Sequence, residues 1–103
     1  MRTPTHPSKE SMSLSGVLYA LSDPARLSIV QSLAVNGAQS CGMLCAQVAK
    51  STASHHFRVL REAGIIQMQA EGTHFINSLR RVDLDRRFPG LLDAVLASVA
   101  EGP

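Results

Sequence analysis

A chain of 103 residues, 45% of them hydrophobic, is one domain's worth of folded protein, and 4% aromatics with no tryptophan leave aliphatic side chains and methionine to build the core. The formal net charge of +2 permits a nucleic-acid partner without arguing for one. No run of about 18 apolar residues exists to span a membrane, and the polar, proline-bearing start MRTPTHPSKES lacks the apolar stretch of a signal peptide.

Residues 1–10 read as a disordered leader and 11–100 as the folded domain. In SMSLSGVLYALSD, Leu14, Val17, Leu18 and Leu21 recur at helical spacing. Ser22-Asp23-Pro24 then stops that helix and starts another, because a small polar residue caps a helix and proline fits its first turn. The second helix is expected from Pro24 to about Val35, with Leu27, Val30, Leu33 and Ala34 as its buried stripe and Asn36-Gly37 at its end. A short helical piece follows between Ser40 and Ala49, with Leu44 and Val48 inward. Lys50 or Ser51 opens the next helix, which runs to Ala63 and closes at Gly64. Its buried face is Ala53, Phe57 and Leu60, bordered by His56.

After Gly64 the period changes from 3.6 to 2. Ile66, Met68 and Ala70 alternate with glutamines, Glu71-Gly72-Thr73 forms a turn, and a second alternating run reaches Leu79, which together predict a β-hairpin. A basic stretch, Arg80-Arg81 to Arg86-Arg87, includes Asp83 and Asp85 as caps of a short helix. Pro89 then opens a last helix to about Ala100, with Leu91, Leu92, Val95, Leu96 and Val99 on its apolar face. The fold class is mainly α with a small β-hairpin, in the order ααααββα.

A short helix, a tight turn and a helix with a polar face make a helix-turn-helix, and the hairpin behind it makes a wing. Major-groove reading needs hydrogen-bonding side chains on one helix face and apolar ones on the other. Lys50, Ser51, Thr52, Ser54, His55 and Arg58 supply the polar face. Arg61, one turn further along, suits a phosphate. Thr73 and His74 in the wing are further candidates for DNA contact; for His74 the two open readings are a phosphate or minor-groove contact and an exposed strand position. The basic residues support this reading: seven of ten lie from Lys50 onward, whereas the first 49 residues hold three basic and two acidic residues. Adjacent His55 and His56 do not face each other on a helix and make a poor metal pair.

The strings LSDPARLSIVQSLA and KSTASHHFRVLREAGII, with the EGT turn, resemble the ArsR family of winged-helix repressors over roughly Leu18 to Leu79. The resemblance implies a homodimer joined through its first and last helices, and with neither a membrane span nor a signal peptide in the sequence a cytoplasmic location is the expectation. It would bind an inverted-repeat operator on double-stranded DNA, repress transcription and leave DNA when an effector binds. Many relatives sense metals. One family site is a Cys-x-Cys motif before the reading helix. This chain has Cys41-Gly-Met-Leu-Cys45 instead, followed by Ala46 where an acidic residue is usual. A spacing of four places both sulfurs on one helix face, but two thiolates do not close a tetrahedral site, so His6 or another leader residue would have to help. The other family site, on the last helix, needs a histidine that this helix lacks; it has Asp93.

Cys41 and Cys45 thus stay open among packed thiols, a dithiol–disulfide switch and a soft-metal site, and no cofactor is required. No catalytic constellation is present, so an enzyme is not expected. Two rival readings are a winged-helix module for protein association without operator binding and a small thiol- or metal-handling protein. The arginine-bearing polar helix face opposes the first, and the scarcity of cysteines opposes the second.

Overall fold

The computed structural model describes residues 4–44 and 50–100. Helix α1 (Leu14–Ala20) starts where Ser13 Oγ accepts from the Gly16 backbone N–H at 3.0 Å. Helix α2 (Pro24–Asn36) is capped by Asp23, whose Oδ1 accepts from Ala25 N at 2.8 Å and Arg26 N at 3.2 Å. These bonds satisfy donors that a helix start leaves without partners. Burial of the carboxyl opposes its ionisation, but the N–H groups of Arg26 and Ala25 and the nearby His56 and Arg26 outweigh it and hold the pKa below the ordinary value.

Strand β1 (Gln39–Ser40) leads into the short α3 (Cys41–Leu44), and α4 (Lys50–Glu62) follows. The hairpin is β2 (Ile66–Glu71) and β3 (His74–Leu79), joined by Gly72-Thr73, with Gly72 at φ 61°. Helices α5 (Arg81–Arg87) and α6 (Leu91–Ala100) complete the described chain. The sheet is antiparallel in the order β1-β3-β2, with Gln39 opposite Asn77 and Met68 also opposite Asn77.

The fold is mainly helical, with the expected hairpin, and it departs from the sequence reading at several points. The hairpin gains a third strand, β1, which is too short at two residues to carry a period of its own. The short helix expected in the basic stretch is α5, separated from α6 at Gly90, whose φ is 81°; α6 begins at Leu91, not at Pro89. Asp83 and Asp85 do not cap α5; they pair with arginines, Asp83 with Arg80 at 3.1 Å and Asp85 with Arg81 at 3.6 Å. Arg81 also pairs with Asp93 of α6.

The core joins α1, α2, α4, the hairpin and α5 through buried aliphatics such as Val17, Ile29, Leu60, Ile65, Ile66 and Leu84. On α2 the buried stripe is Arg26, Ile29, Val30 and Leu33, one residue out of phase with the sequence expectation: Leu27 is half-buried and Ala34 is exposed. The reason is on α6, which packs beside Leu27 without closing over it, leaving an apolar groove lined by Leu18, Leu27, Val95 and Val99. On α1, Val17 and Ala20 are buried, while Leu14 and Leu18 stay 50% and 47% exposed.

The segment before α1 lies against the wing. Lys9–Ser11 form a 3-10 turn and Met12 is buried. The Met68 N–H of edge strand β2 donates to His6 Nε2 at 2.9 Å, and Arg80 Nη1 donates to the Pro7 carbonyl at 2.7 Å. Burial, with the charges of Arg80 and Arg61, lowers the His6 pKa. Among the described residues, no helix is long and apolar enough to cross a membrane.

Candidate nucleic-acid interface

Helix α4 has the two faces that groove reading demands. Ala53, Phe57 and Leu60 are buried and fix its position and rotation on the core. Thr52, Ser54, His55 and Arg58 are exposed on the other side. Residues three and four apart are neighbours on a helix, so His55 and Arg58, and Ser54 and Arg58, share one surface. Lys50 and Ser51 belong to the helix, but their side chains lie outside the described residues. Gly64, at φ 88°, ends the helix and lets the chain turn at once into Ile65 and β2. Thr73 and His74 are exposed at the hairpin tip.

Arg61 is placed differently from the other candidates. It is half-buried, its Nη1 donates to Met68 Sδ at 3.8 Å, and its Nε is buried with no hydrogen-bond partner among the described residues. Its guanidinium therefore braces α4 against the wing strand. The arginines after the wing are also partly engaged: Arg80 holds Pro7 and Asp83, and Arg87 Nη2 donates to the Met12 carbonyl at 3.2 Å.

One connection to this helix escaped the sequence reading. Arg26 reaches from α2 to α4, with Nη1 3.2 Å from His56 Nδ1, while its Nε donates to the Ala20 carbonyl at 2.6 Å. Its signal is spacing: Arg26 is in phase with Ile29, Val30 and Leu33, which puts a cation on the core side of the helix.

The profile of the helix-turn-helix domain family matches residues 21–69, which span α2 through most of β2. The HTH-type transcriptional regulator YceK of Bacillus subtilis is 37% identical over 82 residues, covering 77% of this chain and 82% of YceK. Among solved structures, the transcriptional repressor BigR from Xylella fastidiosa superposes with TM-score 0.65 at 29% identity, over 82% of this chain and 84% of BigR. Mb0332 of Mycobacterium bovis, a homodimeric winged helix-turn-helix domain described as a possible ArsR-family regulator, gives TM-score 0.69 at 25% identity, over 86% of this chain and 80% of its own. The chain belongs to the ArsR family of winged helix-turn-helix transcriptional regulators.

In this ArsR-family chain, Cys41 opens α3 and is partly buried, with a free thiol. Asn77 of β3 donates through Nδ2 to Cys41 Sγ at 3.2 Å and to the Gln39 carbonyl at 3.4 Å. Asn77 is fully buried, and its Oδ1 has no hydrogen-bond partner among the described residues. The thiol is thus tied to the wing strand. Cys45, the other member of the pair, and Val48 lie outside the described residues, so the sulfur–sulfur separation does not enter the argument. Among the described residues, no three His, Cys, Asp or Glu side chains gather as a metal site. His6 Nε2 already accepts from Met68 N.

Proposed function

We propose that this chain is a sequence-specific transcriptional repressor that binds an inverted-repeat operator as a homodimer in the cytoplasm. The observation that carries the reading is the two-faced helix α4, with Ala53, Phe57 and Leu60 in the core and Thr52, Ser54, His55 and Arg58 outside, beside an exposed wing tip. Lys50 and Ser51 extend the reading set at the start of the helix, and Thr73 and His74 meet the backbone or the minor groove. Arg61 meets a phosphate only if its guanidinium swings away from Met68. DNA recognition by a helix-turn-helix protein is binding chemistry, and the proposal assigns no enzymatic step.

Dimerisation follows from the apolar surface left over. Leu14 and Leu18 of α1 and the groove beside α6 are covered by the same surface of a second copy, an isologous contact. Two reading helices then address successive major grooves. Support comes from Mb0332, a homodimeric relative in fold, and from BigR, a repressor. For release, Cys41 and Cys45 are the candidate position for a thiol-reactive or soft-metal effector, and Asn77 gives Cys41 a link to the wing.

The test is a binding titration of the full chain against DNA from its own promoter region at several salt concentrations. A specific complex whose log affinity falls linearly with log salt, with slope about −0.9 per phosphate neutralised, supports the proposal. Absence of any sequence preference over random duplex refutes it. Cys41→Ser and Cys45→Ser, assayed for release by peroxide, persulfide and soft metals, decide the effector: release unchanged by both substitutions removes the cysteines from the mechanism.

A further inference from the structure

Arg26 is 5% exposed among buried side chains that, Asn77 apart, are apolar in the described residues. Burying a cation is costly unless its donors are used. Nε donates to the Ala20 carbonyl at 2.6 Å and Nη2 to the Tyr19 carbonyl at 3.3 Å, both at the C-terminal end of α1, where a cation is favoured. The guanidinium carbon also lies 5.4 Å from the centre of the Tyr19 ring. The remaining contact is the 3.2 Å approach of Nη1 to His56 Nδ1.

This contact has a direction. A guanidinium only donates, so Nδ1 must accept, and it cannot carry a proton. The neutral imidazole then holds its proton on Nε2. His56 is half-buried on α4, with its ring centre 6.0 Å from that of exposed His55. Nε2 has no hydrogen-bond partner among the described residues, and the Arg26 contact takes up the opposite edge of the ring.

We propose that Arg26 is a positioning residue for DNA reading: it locks His56 in the Nε2–H tautomer and makes His56 a fixed hydrogen-bond donor to an acceptor on DNA. The acceptor is a phosphate oxygen or the N7/O6 edge of a purine. The inference rests on the DNA-reading role of α4 and adds to it a residue that borders the core face. An unrestrained imidazole exchanges tautomers and can present a donor or an acceptor; one held by Arg26 presents a donor alone.

Two measurements on the full chain test it. The first is the imidazole nitrogen NMR spectrum at a pH well above the ordinary histidine range. His56 is expected as the Nε2–H tautomer in the unmodified protein, mixed in Arg26→Met, and Nε2–H again in Arg26→Lys, whose ammonium restores a donor. An Nδ1–H tautomer in the unmodified protein overturns the proposal, as does an unaltered tautomer in folded Arg26→Met. The second is affinity for a duplex that the unmodified protein enriches from a randomised pool. His56→Asn keeps an acceptor for Arg26 but has nothing at the Nε2 position, and is expected to lose affinity about three- to tenfold with its melting temperature held. His56→Gln, whose amide N–H reaches that position, is expected to keep most of it.

Equal binding by folded His56→Asn and the unmodified protein overturns the proposal. These substitutions keep the core arginine, so the test survives if Arg26→Met fails to fold. A loss equal across all duplexes identifies a phosphate acceptor, and a changed preference at one base pair identifies a base edge. If the unmodified protein enriches no duplex, the DNA-reading role itself fails, and the tautomer remains separately decided by NMR.

Discussion

Replacing Gly64 with alanine perturbs the joint between the reading helix and the wing, and the structure sets its magnitude. Gly64 has φ 88°, and a Cβ built there would lie 2.6 Å from Met12 Cε and 2.8 Å from Met12 Cγ. The left-handed conformation costs a non-glycine residue about 1–2 kcal/mol. Crowding adds about 1–3 kcal/mol unless Met12 withdraws, and withdrawing it gives up a similar amount of apolar burial. The expected destabilisation is therefore about 2–5 kcal/mol, a large part of the roughly 5–15 kcal/mol that holds a domain together.

Thermal unfolding, at one fixed protein concentration because dimerisation shifts the midpoint, reads this as a fall in Tm of roughly 10–40 °C. The two contributions separate in a double-mutant cycle. In a Met12→Ala background the collision is gone, so the added cost of Gly64→Ala should shrink to the backbone share, about 1–2 kcal/mol. A single-variant loss below about 0.5 kcal/mol, within the range of ordinary surface substitutions, would refute both the left-handed turn and the packing of Met12 on it.

Asp23→Ala removes the cap of α2 and should cost about 1 kcal/mol near neutral pH. Because the folded carboxyl titrates below its unfolded value, its contribution is present above the unfolded pKa and lost as pH falls through the folded one; Asp23→Ala should flatten that acid limb. His6 also has a lowered folded pKa, so the N-terminal contact with β2 is stabilising above the ordinary histidine range and weakens as pH falls below it. Hydrogen exchange at the Met68 amide should accelerate over that interval, and an exchange rate that follows only intrinsic pH dependence would contradict it. Leu18→Glu places a charge on the exposed apolar face of α1 and should shift sedimentation from dimer toward monomer with the helical circular dichroism retained. A dimer of undiminished strength would place the interface elsewhere.

The framework of the candidate interface was legible because its signals are local. Ala53, Phe57 and Leu60 follow helical spacing, Gly64 marks the stop, and the change to period 2 marks the hairpin. The residues that escaped are governed by tertiary packing. The stripe on α2 shifts by one because α6 leaves Leu27 half-covered and Arg26 takes a core position to reach α1 and α4. Strand β1 exists only through its pairing with β3. His6 and Pro7 contact residues 62 and 73 positions away, which no local pattern reveals. Arg61 looked like a phosphate ligand from its place on the helix, and its half-buried contact with Met68 depends on where the wing strand runs.

Mapping backbone amide shifts as promoter duplex is added tests the central claim most directly. The account predicts that residues 52–58 of α4 and Thr73-His74 at the wing tip move together, with Ala53, Phe57 and Leu60 still protected in the core. Shifts confined to α1 and α6, or none at saturating duplex, would contradict DNA reading by α4.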